Sequence, residues 1–318
     1  MSTYLTSLTL RLAAGIERLP AELRARHAGY LRGAQNADGG FSGRDGGSDL
    51  YYTSFALRGL AILGELDTSV AERAAGFLST RLSSQAAVVD FVSLIYSGAL
   101  LEAAAGVDVF ADAAAGWRSA VDDALEQFRR DDGGYAKTAD GHSSSTYYSF
   151  LVILCRQLLG TPAREPQRLA DFIRSRRRDD GGFVEVGPMK RSGTNPTAAA
   201  IGLLKILDSL NETIRNDAVN FLLDMQTDEG GLRANIRIPI ADVLSTFTGL
   251  LTLADLDALA ELDLPAARRF VEQLDLPGGG FRAALWDPGH DVEYTFYGLG
   301  SLALLTGESD PGVVVQSV

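Results

Sequence analysis

Apolar segments long enough to form helices alternate along this chain with short polar turns. One such segment is Leu169-Ala170-Asp171-Phe172-Ile173-Arg174; it leads into the turn Arg178-Asp179-Asp180-Gly181-Gly182-Phe183, and a second apolar segment follows from Pro196 to Leu207. Apolar segments of this length, separated by glycine-containing turns, are typical of paired helices. The pattern predicts a helical hairpin, and most of the chain can be divided in the same way.

The turn of this hairpin recurs at a fixed spacing. Gly-Gly followed by Phe, Tyr or Leu occurs five times, and the second glycines are separated by 94, 48, 49 and 49 residues; they are Gly40, Gly134, Gly182, Gly231 and Gly280. A fixed period in this range indicates a repeat architecture. We expect each Gly-Gly pair to end the first helix of its hairpin in the left-handed conformation, with the following aromatic packed between repeats.

The second helices of the repeats can be aligned on an aspartate near their start. This position is shared by Asp49, Asp90, Asp242 and Asp291. The match at Asp90 recovers a copy that lacks its Gly-Gly turn, which gives six copies of two helices. Five second helices also carry a glycine near the middle, where neighbouring helices can approach closely: Gly59, Gly98, Gly202, Gly249 and Gly298.

These features predict an all-α fold in which second helices form an inner ring and the more charged first helices form an outer ring. Six hairpins that close on themselves make an α/α toroid with a central funnel-shaped cavity, although the period also fits an open solenoid. We expect one domain over residues 1–318, with an N-terminal helix over residues 1–30 that closes the ring.

Charge and cysteine content narrow the function classes. The net charge of −12 and the pI near 4.8 disfavour nucleic acid and anionic lipid as partners. Cys155 is alone, so the chain can form neither an internal disulfide nor a thiolate metal cluster. No apolar run approaches the roughly 18 residues of a membrane span, and the start from Met1 to Leu19 is typical of an amphipathic helix. We therefore expect a cytoplasmic protein.

The turn motif carries a resemblance to a known family. Gln35-Asn36-Ala37-Asp38-Gly39-Gly40-Phe41 and Gln226-Thr227-Asp228-Glu229-Gly230-Gly231-Leu232 resemble the prenyltransferase and squalene-oxidase repeat. That repeat occurs in protein prenyltransferase β subunits and in class II terpene cyclases. The length and the six copies are most similar to β subunits of the Rab geranylgeranyltransferase type. The resemblance covers almost the whole chain and implies the α/α toroid.

The resemblance also implies an isoprenoid diphosphate in the funnel and a zinc ion held by an Asp, a Cys two residues later and a distant His. Asp242 matches the family's Asp, but Leu244 and Tyr294 stand at the Cys and His positions. The sequence therefore predicts no zinc site from these residues, although the family uses zinc. Arg233 and Arg237 are the candidates for gripping a diphosphate. Family β subunits work with a helical α subunit, so a partner of that type or a homo-oligomer is expected.

Two further groups of residues are candidates for chemistry. If the ring closes, Asp49, Asp90, Asp242 and Asp291 form an acidic arc at one mouth, where they either cap helices or act as general acids. Tyrosines near the starts of inner helices, together with a tryptophan in the last loop, could line the funnel with aromatic faces for an isoprenoid chain or a carbocation; the main candidates are Tyr52, Tyr148, Tyr294 and Trp286.

Three functional hypotheses follow from these observations. The first is a protein prenyltransferase β-subunit-like protein that binds or transfers geranylgeranyl or farnesyl diphosphate, with Asp242, Arg233 and Arg237 at its site. The second is a class II terpene cyclase-like enzyme that protonates a polyprenyl chain through one aspartate of the arc. The third is a binding or scaffold toroid without catalysis.

Overall fold

A computed structural model of the chain describes residues 3–82 and 87–306. Within these two ranges the chain forms thirteen α-helices and one antiparallel pair of strands. The helices are α1 (Tyr4–Ile16), α2 (Ala21–Gly33), α3 (Leu50–Ile62), α4 (Thr68–Ser79), α5 (Val88–Ala105), α6 (Trp117–Glu126), α7 (Thr146–Leu159), α8 (Pro166–Ser175), α9 (Thr194–Ile206), α10 (Glu212–Leu223), α11 (Val243–Asp255), α12 (Leu264–Leu274) and α13 (Val292–Leu305). The strands β1 (Phe281–Ala284) and β2 (Asp287–Asp291) lie between α12 and α13.

The helices form two concentric rings. In the inner ring, α3, α5, α7, α9, α11 and α13 each pack against the next, and α13 packs back against α3. The outer helices α2, α4, α6, α8, α10 and α12 each pack on the inner helix that follows in the chain. The contact between α13 and α3 excludes the open solenoid. The predicted α/α toroid of six helical hairpins is therefore confirmed.

The inner helices are buried on nearly all sides, as their small residues predicted. In α13, thirteen of fourteen residues are buried. Glycine is needed where an aromatic side chain lies directly against the backbone of an inner helix. A Cβ at Gly300 would lie 2.5 Å from Phe247 of α11, and one at Gly298 would lie 2.3 Å from Phe281. Apolar residues of the inner and outer helices join in one continuous core.

The Gly-Gly pairs do not end the outer helices, so that prediction was wrong. Helix α10 ends at Leu223, seven residues before Gly230. The left-handed conformation predicted for the pair is nevertheless present, since φ of Gly230 is +96°, and a Cβ there would also lie 2.3 Å from the carbonyl oxygen of Ala266 on α12. Each of these turns thus rests on the next outer helix. The last turn rests on α2, where Gly279 meets Arg26, so the outer layer closes as well.

The residue after each Gly-Gly pair fastens the turn to the inner ring. All five are fully buried: Phe41, Tyr135, Phe183, Leu232 and Phe281. Each donates its backbone N–H to a buried hydroxyl in the first turn or two of the following inner helix, as Leu232 does to Thr246 at 2.9 Å and Phe281 to Thr295 at 3.3 Å. The hydroxyl satisfies a backbone donor that has no other partner in the turn.

The first helix covers one end of the ring. The Tyr4 hydroxyl donates to Asp255 of α11 at 2.8 Å, its backbone N–H donates to Gln157 of α7 at 3.1 Å, and Gly15 lies against Ala303 of α13. These contacts lie near the C-terminal ends of the inner helices. We call this end the floor, and the opposite end, where the inner helices begin, the mouth. Two helices, α1 and α2, occupy the region for which one helix was expected.

One helix of the described ranges is long and apolar enough to span a membrane by those criteria alone. It is α5, with a mean hydropathy of 1.6 over 18 residues. Since 61% of this segment is buried and α5 lies between α3 and α7 in the inner ring, its apolar character is explained by its place in the core.

Candidate active site at the mouth of the ring

Three of the four aspartates cap inner helices. Asp49, Asp242 and Asp291 are the N-caps of α3, α11 and α13, and each accepts a hydrogen bond from a backbone N–H three residues later, at 2.8, 2.7 and 3.0 Å. An aspartate at this position satisfies a backbone donor left free by the helix and complements its dipole. Helix capping is therefore enough to explain why an aspartate stands at these three positions.

The alignment of Asp90 with the three caps was wrong by three residues. Helix α5 begins at Val88 and Ala87 is its N-cap, so Asp90 lies inside the first turn. Its carboxylate reaches back and accepts the Ala87 N–H at 3.0 Å. An aspartate thus binds a free backbone N–H at the start of the helix in all four cases, but Asp90 does so from inside the first turn. An aspartate near the start of an apolar helix looks the same in the sequence in either position.

The mouth holds several carboxylates whose protonated forms are favoured by burial. Burial raises the pKa of Asp49, Asp242 and Asp291 above the usual value, against the hydrogen bonds from the capped N–H groups. Asp90 adds to the rise of the Asp49 pKa, so these two carboxylates are electrostatic neighbours. Asp291 instead lies 3.9 Å from Arg44, which opposes the rise of its pKa.

The structure reveals a further carboxyl group that the sequence reasoning missed. Glu293, in the first turn of α13, is 8% exposed, and its Oε1 accepts a hydrogen bond from the Tyr51 hydroxyl of α3 at 2.5 Å. Burial raises the pKa of Glu293 and nearby Asp291 adds to the rise, while Tyr51, Tyr297 and Arg58 oppose it. Glu293 is therefore a buried acid joined to the first inner helix across the point where the ring closes.

A collar of equivalent positions explains why Glu293 faces the interior. Each inner helix has one residue two places after its N-cap, and the six are Tyr51, Val89, Tyr147, Asn195, Leu244 and Glu293. We call this set the collar. Interactions across the ring connect three of them, because Tyr147 and Glu293 both raise the pKa of Tyr51. Glu293 is the one carboxylic acid among the six, and this alignment is the sequence signal that could have found it.

Aromatic rings surround the acid on the floor side. Phe55 lies 5.6 Å from Phe296 and 5.1 Å from Tyr297, measured between ring centroids, and Phe247 lies 5.6 Å from Phe296. Tyr147 keeps 36% of its surface accessible, yet burial raises the pKa of its hydroxyl. Its accessible surface therefore lines the interior of the ring, not the outside of the protein.

One arginine of the inner helices, Arg58 of α3, lies among these aromatic rings. The Arg58 guanidinium carbon is 4.7 Å from the ring centroid of Phe55, 4.4 Å from that of Phe296 and 5.4 Å from that of Tyr96. Its charge lowers the pKa of Glu293 and of Tyr147. Arg58 follows Tyr51 by seven residues on α3, which places it about 10 Å nearer the floor.

The aromatic residues singled out from the sequence lie at the outer part of the mouth. Tyr148 packs beside Tyr147 with ring centroids 5.5 Å apart, and Arg44 lies 5.0 Å over the ring of Tyr294. Tyr52 packs against Gly43, and burial raises its pKa to about 12. Trp286 is 66% exposed in the turn between β1 and β2. The structure thus brings Tyr148 to the collar and leaves Trp286 on the surface.

The two arginines considered for a diphosphate have other surroundings. Nη2 of Arg233 donates to the carbonyl oxygen of Asp224 at 3.0 Å, beside the end of α10. Arg282, at the same place in the last repeat, donates to Gln273 at 2.6 Å in the same way. This recurrence identifies Arg233 as a brace within its hairpin. Arg237 is exposed in the loop before α11.

The residues present do not fit zinc. Of the three family positions, Leu244 has no atom that could bind a metal, and the ring of Tyr294 packs under the Arg44 guanidinium. The third, Asp242, is the N-cap of α11. Among the described residues, no group of three or more His, Cys, Asp and Glu side chains is arranged to hold a metal ion. Cys155 is fully buried, and burial raises its pKa to about 12, as expected for a packed thiol.

Comparison with known proteins places this ring in a family. The family model of the prenyltransferase alpha-alpha toroid domain matches residues 4–233 and 197–317. The chain belongs to this family. The resemblance of its repeat to the prenyltransferase and squalene-oxidase repeat is therefore confirmed. No curated protein matches the chain.

Solved structures with a similar fold belong to proteins of different chemistries. Candida albicans protein geranylgeranyltransferase-I complexed with GGPP has a TM-score of 0.72 and 17% identity, covering 90% of this chain and 92% of its own. The type II terpene cyclase MstE from Scytonema, in complex with geranylgeranyl dihydroxybenzoate, has a TM-score of 0.60 and 16% identity, covering 95% and 98%. A glycosidase in complex with glucose has a TM-score of 0.60 and 12% identity, covering 94% and 98%. At these identities the likeness shows the toroid fold, and function must be argued from the site.

Proposed function

We propose that this protein binds an isoprenoid chain inside the ring and cyclises it by metal-independent proton transfer, with Glu293 as the proton donor. The observation that carries the proposal is the 2.5 Å hydrogen bond from Tyr51 to a Glu293 carboxyl that is otherwise buried among aromatic side chains. A catalytic acid needs a position from which it can reach the substrate and surroundings that hold its proton until transfer.

The chemistry follows from the residues around Glu293. Its carboxyl proton adds to one carbon of an alkene, whose π electrons form the new C–H bond and leave a carbocation on the other carbon. A second alkene of the chain attacks this cation and closes a ring, and loss of a proton to water ends the reaction. Solvent then reprotonates Glu293, so the product is an isomer of the substrate.

The surroundings assist both partners of the transfer. Burial raises the pKa of Glu293 and so favours its protonated form, while hydrogen bonds from Tyr51 and Tyr297 and the charge of Arg58 stabilise the carboxylate that remains after transfer. Aromatic rings stabilise a carbocation through the negative density of their faces without reacting with it. Phe55, Phe296 and Phe247 are buried near the acid, and Tyr147 keeps accessible surface there. The same apolar rings suit the chain of an isoprenoid.

Zinc-dependent prenylation of a cysteine receives less support. It needs a metal-bound thiolate, and neither Leu244 nor Tyr294 can supply the ligands that the family uses. Binding of a geranylgeranyl or farnesyl chain is common to both reactions, so a prenyltransferase with a rebuilt metal site is the second candidate. What favours it is the higher similarity to geranylgeranyltransferase-I among the structures compared.

The test separates the two reactions. Purified protein is incubated with geranylgeraniol and with geranylgeranyl diphosphate, with either EDTA or zinc, and products are identified by mass spectrometry. We expect cyclic isomers in EDTA, and their loss in Glu293→Gln, which keeps the shape of the side chain but carries no acid. Activity that requires zinc and a thiol acceptor would favour the transferase, and the absence of product under every one of these conditions would favour a scaffold.

A further inference from the structure

Arg58 is a charged residue in the interior for which the protein supplies no polar partner. In the described parts of the chain it makes no hydrogen bond and no ion pair, and its guanidinium packs against the rings of Phe55, Phe296 and Tyr96. Rings take up the faces of a guanidinium, whereas its five N–H donors point outward along the edges. The N–H donors at these edges are therefore free to bind a ligand.

A second arginine shows how this fold treats a guanidinium that is only structural. Arg156 of α7 is 1% exposed; its Nε donates to Asp122 at 2.9 Å, its Nη1 donates to the Tyr135 hydroxyl at 3.2 Å, and its Nη2 binds Glu126. A buried charge without such partners is costly. Arg58 is half-buried and its nitrogens are not enclosed, so its N–H edges stay accessible.

The accessible edge of Arg58 faces the interior of the ring. Its charge lowers the pKa of Tyr147, Tyr297 and Glu293, which belong to α7 and α13 on other parts of the ring. On the floor side, Tyr96 lies under Arg58 and its hydroxyl donates to the Leu5 carbonyl oxygen of α1 at 3.2 Å. Arg58 therefore lies between the collar at the mouth and the helix that covers the floor.

We propose that Arg58 binds the oxyanion end of the substrate, a carboxylate or a diphosphate, so that an amphiphilic chain enters the ring with its anionic end toward the floor. A guanidinium edge matches such a group through two parallel hydrogen bonds.

The charges of the mouth support this direction. Asp49, Asp90 and Asp291 gather there, and Glu185 lies beside the start of α7, where its pKa is raised by burial. An anion is disfavoured among carboxylates and favoured beside an unpaired cation. With the oxyanion at Arg58, the apolar far end of the chain lies near the collar, where Glu293 can protonate it. This inference rests on the proposed function.

Binding of three ligands with the same chain tests the inference. Geranylgeraniol, geranylgeranoic acid and geranylgeranyl diphosphate are titrated into the full-length protein, and Kd is measured by calorimetry. We expect at least one of the two anions to bind wild type about tenfold or more tightly than the alcohol, as a charged hydrogen-bonded pair allows. Which anion gains the preference identifies the head group.

Variants assign that preference to a residue. Arg58→Met keeps an apolar stem of similar length, so we expect it to bind the alcohol as wild type does and to lose the preference for the anion. Arg58→Lys should keep part of it, and its retained charge provides a second variant if the methionine protein does not fold. Arg237→Met changes an exposed arginine of the mouth loop and should leave the preference intact.

The outcomes separate this inference from the function on which it rests. Alcohol binding without any preference for an anion, or a preference that survives Arg58→Met or disappears in Arg237→Met, overturns the role of Arg58 and leaves isoprenoid binding in place. Failure of all three ligands to bind wild type overturns both proposals together.

Discussion

The Tyr51 hydroxyl lies 2.5 Å from Oε1 of Glu293, and this bond joins the first inner helix of the ring to the last. The two residues are far apart in the chain and meet because the toroid closes between α13 and α3. Closure therefore does more than remove the open ends of a repeat array. It brings together an acid on the last inner helix and its hydrogen-bond donor on the first.

Replacing Glu293 should change stability in a pH-dependent way. The folded-state pKa of Glu293 is raised by burial, so its protonated form favours folding and wild type loses stability as pH rises through that pKa. Glu293→Gln cannot ionise. We expect the two proteins to have equal stability below about pH 4 and the variant to be more stable near pH 8. Each unit of pKa shift corresponds to about 1.4 kcal/mol in the free energy of unfolding.

Thermal unfolding of both proteins between pH 4 and 8 measures this difference. The control is Glu102→Gln, which alters an exposed glutamate of α5 and should follow wild type at every pH. Equal behaviour of Glu293→Gln and the control would mean that Glu293 ionises in the folded protein as freely as a surface residue.

Removing the Tyr51 hydroxyl should shift the titration of Glu293 upward. The hydrogen bond from Tyr51 lowers the pKa of Glu293, so Tyr51→Phe removes an interaction that favours the carboxylate. We expect the acid to stay protonated to higher pH and the alkaline limb of the cyclisation rate to move in the same direction. The pH dependence of kcat/KM in the two proteins is the measurement. An unchanged alkaline limb would show that the Tyr51 hydroxyl does not affect the pKa of the catalytic acid.

The hydroxyls that hold the turns should matter more than other hydroxyls of the same helix. In α11, Thr246 accepts the backbone N–H of Leu232, whereas Thr252 only donates to the carbonyl oxygen of Thr248 one turn earlier. Thr246→Val strands a buried donor, for which we expect a loss of about 1–3 kcal/mol in the free energy of unfolding. Thr252→Val should lose clearly less. Urea denaturation compares the two, and similar losses would contradict the role of Thr246.

The glycine of a turn should resist substitution for more than its backbone conformation. A Cβ at Gly230 would lie 2.3 Å from the Ala266 carbonyl oxygen, whereas Gly64 also has a positive φ, of +69°, but open space around it. Gly64→Ala isolates the left-handed strain, about 1–2 kcal/mol. We expect Gly230→Ala to lower the free energy of unfolding further, because α12 must move. Equal losses in denaturation experiments would show that the turn does not need this contact.

The repeat period was enough to predict stacked helical hairpins, because a hairpin with an apolar face on each side must stack on its neighbours. The period fits an open solenoid as well as a closed ring, and the closed toroid was implied by the resemblance of the repeat to the prenyltransferase family. Asp242 and Asp291 could likewise be predicted as caps from their places before apolar helices. Glu293 escaped because it stands among residues that vary from repeat to repeat, and the three-residue misalignment of Asp90 hid the collar. Its partner Tyr51 becomes visible only when the ring closes, which local sequence does not encode.

The floor could not be predicted for a related reason. The contacts of α1 with Gln157 and Asp255 depend on where a helix outside the repeat comes to rest. Arg58 lies in an apolar helix whose neighbours are set by the rotation of six hairpins about a common axis. Its lack of a polar partner is a property of the assembled ring and has no sequence signature.

Solvent isotope incorporation tests the central claim, that Glu293 starts the reaction by giving a proton to the substrate. Geranylgeraniol, which has no diphosphate to lose, is incubated with wild type in D₂O and in H₂O, in the presence of EDTA. Because the acid exchanges its proton with solvent, we predict a cyclic isomer one mass unit heavier in D₂O and no product with Glu293→Gln. A cyclic product without deuterium, or one that forms equally in the variant, would contradict the account.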